Sequence, residues 1–148
     1  MPVPLLLKAQ KPECSRMQGD SLGARLQRRR RELGLRRIDA AQLLRCSWKS
    51  LMWWERDERE PFPSAFPAII EFLGEEPWPE PRTLAEALVA ERRRRGLAVE
   101  HAADLVGVDP GTWLRWEQGV WRPTALTVPG IDQFLGMSCR ERFPEGVR

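Results

Sequence analysis

Arginine, glutamate and tryptophan side chains offer most of the chemistry in this sequence of 148 residues. His101 is the one histidine, which largely excludes His-based catalytic triads and multi-histidine metal sites. No glycine-rich loop that could cradle a phosphate is present. We therefore expect a protein that is not an enzyme and that binds no metal and no cofactor.

The three cysteines, Cys14, Cys46 and Cys139, are an odd number without a close pair. This usage is typical of a reducing compartment, so we expect a cytoplasmic location. The apolar run PLLL near the start is too short for a signal sequence or a membrane span. No later apolar run approaches about 18 residues, so we expect no contact with a membrane.

Positive charge is concentrated in the first half of the chain. The formal net charge is +3 and the isoelectric point is near 9.1. Residues 22–74 contain 11 Lys or Arg against 7 Asp or Glu, whereas residues 84–136 contain 6 against 7. A mild basic excess permits a polyanionic partner, and the first half is the part that would meet it.

A Trp-Glu pair followed by charged residues and a proline occurs twice, in SLMWWERDEREP and TWLRWEQGVWRP. A shift of 62 residues aligns residues 22–74 with residues 84–136 without a gap, and 17 of the 53 aligned positions are identical. The chain is therefore a tandem duplication.

Each copy reads as short helices separated by caps and turns. Apolar residues recur at helical spacing, and Ser21, Ser47, Ser64 and Asp109 stand where helices should begin. The side chains expected to face the core of the first copy are Leu22, Leu26, Leu33, Ile38, Ala41, Leu44, Leu51, Trp54, Phe66, Ile69, Ile70 and Leu73.

This pattern predicts an all-α protein of two tandem small helix-turn-helix bundles joined by a proline-rich linker. The expected domain limits are an N-terminal tail at 1–20, a first domain at 21–74, a linker at 75–82, a second domain at 83–136 and a C-terminal tail at 137–148.

A helix, a three-residue turn and a capped second helix form the helix-turn-helix pattern. LGARLQRRRRELGL with AAQLLRCSWKSLMWWERDEREP, and LAEALVAERRRRGL with AADLVGVDPGTWLRWEQGVWRP, resemble Xre/Cro-repressor-type, lambda-repressor-like domains. The resemblance implies a prokaryotic transcriptional regulator that binds sequence-selectively in the major groove of double-stranded DNA. It also implies structural ion pairs between Arg30 and Glu55 and between Arg92 and Glu117.

The third helix of each copy would carry the residues that read DNA. Arg36, Arg37, Lys49 and Arg56 are suited to phosphates, and Arg45 stands where the family often has glycine. The first copy is expected to provide most of the contact. The full set of candidate DNA-binding residues is Arg36, Arg37, Ser47, Trp48, Lys49, Ser50, Met52, Trp53, Arg56, Thr112, Arg115 and Gln118.

Three alternatives stay open from the residues alone. An exposed face of Trp48, Met52 and Trp53 would also suit a protein partner, which makes a protein-binding module the competing function. The chain could act as a monomer that imitates a dimer, or as a homodimer. Trp78 in the linker could pack the copies together instead of leaving a stiff spacer.

Overall fold

The computed structural model describes residues 21–148, and within this range it contains nine α-helices and no strand. The predicted all-α class is confirmed. The chain divides into two compact units, unit one ending at Pro61 and unit two running from Phe62 to Arg148. The predicted N-terminal tail lies outside the described residues.

Unit one contains three helices: α1 (Leu22–Glu32), α2 (Arg37–Leu44) and α3 (Trp48–Glu55). Ser21 and Ser47 cap α1 and α3 with their side-chain oxygens, as their positions predicted. Both α1 and α2 pack on α3. The buried apolar side chains are Leu26, Ala40, Ala41, Leu44, Leu51 and Trp54.

Two expected core positions of unit one face solvent instead. Ile38 is 48% exposed, because Ala40, Ala41 and Leu44 form the buried side of α2. At about 100° per residue, Ile38 lies more than about 100° around the helix from the middle of that side. Leu33 is exposed because α1 ends before it.

Unit two contains six helices. After a 3₁₀ turn at Pro63–Ala65 come α4 (Phe66–Leu73), α5 (Leu84–Arg95), α6 (Val99–Val106), α7 (Pro110–Glu117), α8 (Val128–Leu135) and α9 (Cys139–Arg142), followed by a 3₁₀ turn at Pro144–Gly146. By sequence α4 ends the first repeat, yet it packs on α5 within unit two. Its repeat counterpart α8 also packs on α5.

The predicted linker contacts unit two. The Trp78 ring lies edge-on to Phe66 at 6.0 Å between centroids, and its indole N–H donates to Glu76 Oε1 at 3.0 Å. Glu76 in turn accepts hydrogen bonds from the guanidinium of Arg94 on α5. Residues 76 and 78 therefore do not belong to a detached spacer.

The C-terminal segment is not a tail. Cys139, Phe143 and Val147 are buried in the core of unit two together with Leu84. The backbone N–H of Cys139 donates to Asp132 Oδ1 at 2.8 Å, which ties the segment to α8. A helix of four residues is too short to show a helical period in the sequence, which is why the segment resembled a tail.

Candidate nucleic-acid interface

A left-handed residue makes the turn between α2 and α3. Arg45 has φ +58° and ψ +42°, and the backbone N–H of Cys46 donates to the carbonyl oxygen of Ala41 at 3.0 Å. An L-residue in this conformation costs about 1 kcal/mol relative to glycine, which occupies the equivalent position in unit two as Gly107. The turn thus has the same backbone in both units.

Ser47 sets the start of α3. Its Oγ accepts a hydrogen bond from the backbone N–H of Ser50 at 3.0 Å and donates one to Ser50 Oγ at 2.9 Å. Trp48 and Lys49 follow in the first turn and are exposed, Trp48 by 50%. The first turn of α3 contains no acidic residue, so the positive end of the helix dipole is unopposed.

Met52 and Trp53 are half-buried, which makes them less exposed than the sequence suggested. The Cζ atom of Arg59 lies 3.9 Å from the centre of the Trp53 ring, so an arginine covers one face of the indole. Arg56, at the end of α3, is exposed. Of the three apolar residues proposed for a partner, Trp48 alone is exposed.

The two arginines that open α2 differ in their partners. Arg36 is 79% exposed and binds Asp39 through Nε at 2.9 Å and Nη2 at 3.1 Å. Hydrogen bonding to Arg36 lowers the pKa of Asp39, and the same bond raises the pKa of Arg36. Arg37 points inward and donates from Nε to Glu55 Oε1 at 3.2 Å.

The Arg30 and Glu55 side chains form a two-bond ion pair inside unit one. Nε donates to Oε2 at 2.6 Å and Nη2 donates to Oε1 at 3.1 Å, while Nη1 donates to the carbonyl oxygen of Leu35 at 3.1 Å. The Glu55 side chain is 1% exposed and the Arg30 side chain 12%. The planar guanidinium offsets the cost of burying the carboxylate and also holds the chain after α1.

Unit two repeats this pair with Arg92 and Glu117. The matching distances are 2.5 Å and 3.1 Å, and Arg92 Nη1 donates to the carbonyl oxygen of Leu97 at 3.0 Å. The second donor to the carboxylate differs between the units. In unit two the indole N–H of Trp113 donates to Glu117 Oε2 at 2.5 Å, whereas in unit one Arg37 donates to Glu55.

Two of the three candidate DNA-binding residues at α7 already contact other side chains of unit two. Asp109 caps α7, accepting from the backbone N–H of Thr112 at 3.1 Å and from its hydroxyl at 2.9 Å. The Cζ atom of Arg115 lies 4.5 Å from the centre of the Trp121 ring. Gln118 is exposed at the end of α7.

The two helix-turn-helix segments, residues 36–56 and residues 98–118, carry opposite charge. The first contains five Lys or Arg and two Asp or Glu, and the second contains one and four. The formal charges are thus +3 and −3. The whole copies differ slightly less, at +4 and −1, because Asp57, Glu58, Glu60 and Glu71 follow the first segment.

The sequence matches the family profile of the helix-turn-helix domain twice, over residues 21–79 and residues 83–143. The chain belongs to this family of DNA-binding domains. The two matches confirm the predicted tandem arrangement, and the second extends into the packed C-terminal segment. No curated protein and no solved structure matches the chain.

The described part of the chain contains neither a cluster of metal-binding side chains nor a membrane-spanning helix. Residues 21–148 contain no group of three or more His, Cys, Asp or Glu side chains that could hold a metal ion. No helix in that same range is long and apolar enough to cross a membrane.

Proposed function

We propose that this protein binds double-stranded DNA sequence-selectively as a transcriptional regulator of the Xre/Cro type, and that unit one makes most of the contact. The observation that carries the proposal is the charge of the helix-turn-helix segment, +3 in unit one against −3 in unit two. Phosphate contacts supply much of the affinity of DNA-binding proteins, so the basic segment is favoured and the acidic one is repelled.

The exposed cations of unit one have distinct roles in this proposal. Lys49 at the start of α3 and Arg56 at its end contact phosphates on either side of the major groove. Arg36 exchanges its partner Asp39 for a phosphate, which costs little because exposed ion pairs are weak. Arg37 is held by Glu55 and contributes long-range charge more than direct contact.

Sequence is read by the groups that α3 presents beside these cations. The hydroxyls of Ser47 and Ser50 donate to or accept from base edges, and the Trp48 ring lies where it can contact a thymine methyl. Thr112, Arg115 and Gln118 of unit two add a weaker second contact. Covalent linkage raises the effective concentration of that contact, whether the chain acts as a monomer that imitates a dimer or as a homodimer.

A second candidate function is protein binding through unit one. The observation in its favour is the exposure of Trp48 together with Ile38 and Leu43, three large apolar side chains of α2 and α3. Such side chains are enriched in protein interfaces. This function predicts binding that depends on Trp48 and hardly on salt.

Selection from a random duplex pool, followed by affinity measurement at two salt concentrations, tests the proposal. With about three phosphate contacts, affinity for the selected duplex should fall by about 40-fold between about 50 and about 200 mM salt. The double variant Arg36→Ala with Lys49→Ala should lose most binding and show a smaller salt slope. The matched control is Arg140→Ala, which removes an exposed arginine of α9 and should bind like the unaltered protein.

The proposal is overturned if selection enriches no duplex, or if affinity for the selected duplex hardly changes with salt. It is also overturned if the control variant loses as much affinity as the double variant.

A further inference from the structure

A cavity of about 680 Å³ lies in unit two at the start of α5. Its walls include Thr83 and Ala85 from the first turn of α5, Gly119 after α7, Trp121, and Phe143 from the C-terminal segment. Small-molecule sites typically have volumes of about 300–1,000 Å³. Of the residues in the proposed DNA contact, Gln118 also lines this cavity, whereas the N-terminus of α5 takes no part in that contact.

In unit one a carboxylate fills the corresponding place. The Ser21 hydroxyl donates to Asp57 Oδ2 at 2.7 Å, and the backbone N–H of Gly23 donates to Asp57 Oδ1 at 3.2 Å. Asp57 reaches this position from a left-handed backbone with φ +58°. Unit one therefore shows that the first turn of this helix binds a carboxylate in this fold.

The alignment of the two repeats places the equivalent residues of unit two in the wall of the cavity. Thr83 is equivalent to Ser21, Ala85 to Gly23, and Gly119 to Asp57. Gly119 keeps the left-handed backbone with φ +74° but has no side chain. The hydroxyl and the backbone N–H are thus retained in unit two, while the carboxylate that they bind in unit one is missing.

The space between the start of α5 and the end of α7 is also wider than the equivalent space in unit one. A Cβ on Gly23 would lie 2.3 Å from the carbonyl oxygen of Trp54, so the end of α3 closes against α1. Ala85 carries such a Cβ, which means that the end of α7 stands further from α5. The Thr83 Oγ1 atom accepts from the N–H of Glu86 at 3.1 Å, so its proton is available for another acceptor.

The cavity lining contains three arginines, Arg82, Arg122 and Arg142, and three glutamates, Glu86, Glu117 and Glu145. Arg142 donates to Glu80 Oε2 at 2.9 Å and Glu145 is exposed. Positive potential inside the cavity therefore comes from Arg82, Arg122 and the N-terminus of the 12-residue helix α5. Among the lining carboxylates, Glu117 is bound by Arg92 and Trp113, and Glu86 accepts from the backbone N–H of Arg82 at 2.8 Å.

We propose that this cavity is a binding site for a small organic carboxylate. The ligand's carboxylate takes the place that Asp57 occupies in unit one, accepting from the Thr83 hydroxyl and the Ala85 N–H. Its remaining atoms lie between Trp121 and the C-terminal segment, near Arg122. The site shares only Gln118 with the proposed DNA contact and does not depend on that contact.

Titration of the full chain with sodium succinate, followed by two-dimensional ¹H–¹⁵N NMR, tests this site. We expect saturable shifts of the Ala85 and Gly119 amide signals and of the Trp121 indole signal. Sodium chloride at matched ionic strength should produce none of them. Shifts that rise linearly, or that chloride reproduces, would overturn the proposal, and equal saturation by sodium sulfate would overturn the assignment to a carboxylate.

Three variants locate the site. Gly119→Asp supplies the carboxylate from the chain itself, so the saturable response should disappear and the thermal midpoint should rise. Ala85→Pro removes the N–H donor, and Pro67 and Pro129 show that the second position of helices in this chain accepts proline. Ala85→Gly keeps the donor and should respond normally.

A normal response in Gly119→Asp rejects the site even if Ala85→Pro fails to fold. Loss of the response in Ala85→Gly rejects it as well, because that variant retains both donors.

Discussion

In unit one the carboxylate of Glu55 is bound by Arg30 and Arg37, whereas in unit two the carboxylate of Glu117 is bound by Arg92 and Trp113. The arginine on α1 of unit one has its equivalent on α5 of unit two, with matching distances. The second donor comes from a different helix in each unit. A buried carboxylate must be fully bonded, but the source of its second donor can change with the surrounding surface.

The outer surfaces of the two units differ much more than these interiors. The segment 36–56 has no fully exposed acidic residue, since Asp39 is half-buried and Glu55 is buried, whereas Glu100, Asp104 and Asp109 are all exposed in the segment 98–118. Packing constrains the ion pair, while solvent tolerates either sign of charge. The difference teaches that the shared fold alone does not assign DNA contact equally to both units.

The largest expected effect comes from removing the carboxylate of unit one. Glu55→Ala leaves Arg30 and Arg37 without their partner, and we expect a loss of about 3 kcal/mol in the unfolding free energy of unit one. Glu117→Ala should destabilise unit two less, because it leaves one arginine and an indole N–H. Hydrogen exchange of the α1 and α5 amides measures each unit separately.

The exposed Glu58 provides the control for this pair of variants. Glu58→Ala should change the unfolding free energy of unit one, measured by hydrogen exchange, by less than about 0.5 kcal/mol. A Glu55→Ala effect no larger than that of Glu58→Ala would show that the ion pair does not stabilise unit one.

A smaller effect is expected where the units differ in backbone spacing. In Gly23→Ala the new Cβ would lie 2.3 Å from the Trp54 carbonyl oxygen and 2.8 Å from that of Glu55. Relief of this overlap requires a backbone shift, so we expect a loss of about 1–3 kcal/mol in urea unfolding. The reverse change at the equivalent position, Ala85→Gly, should cost only about 1 kcal/mol, from helix propensity.

If Gly23→Ala proved as mild as Ala85→Gly, α1 would be spaced from the end of α3 as α5 is from the end of α7. The explanation given for the cavity of unit two would then fail.

The smallest effect concerns acid stability. A hydrogen bond from Arg94 lowers the pKa of Glu76, so this pair stabilises unit two above the unfolded pKa of Glu76. That stability is lost as the pH falls through the lower, folded pKa. Both side chains are more than a third exposed, and we expect less than about 1 kcal/mol.

The variant Glu76→Gln should remove this part of the pH dependence of α5 hydrogen exchange. Unit one has Glu32 at the position that corresponds to Arg94, and its α1 amides should not change in the variant. A change of equal size in α1 would contradict the assignment to the Glu76–Arg94 pair.

The helices and three of their caps were within reach of the sequence, and the two ion pairs were within reach of the family resemblance. The expected cap Ser64 is wrong, because Ser64 lies inside the 3₁₀ turn and its side chain caps no helix. Caps and apolar spacing act over a few residues, and Arg30 and Glu55 stand 25 residues apart just as Arg92 and Glu117 do. A repeated spacing between complementary charges is a signal that one chain can provide by itself when it contains two copies of a domain.

Other features depend on contacts that no local pattern reveals. Arg37 could not be distinguished from Arg36, yet one binds the buried Glu55 and the other the half-buried Asp39. The packing of α4 on α5, the burial of Cys139 and the covering of Trp53 by an arginine all depend on segments distant in the chain. The cavity beside Gly119 could not be predicted either, because it depends on the spacing between α5 and α7.

Reversal of one charge in each unit tests the division of labour most directly. Lys49→Glu and Arg115→Glu each change an exposed cation on the second helix of a helix-turn-helix segment, α3 and α7. Affinity for a selected duplex should be measured at a fixed salt concentration, with hydrogen exchange confirming that both variants are folded. We expect Lys49→Glu to weaken binding by about tenfold or more and Arg115→Glu by about twofold or less. An Arg115→Glu effect equal to or larger than that of Lys49→Glu would contradict the assignment of DNA contact mainly to unit one.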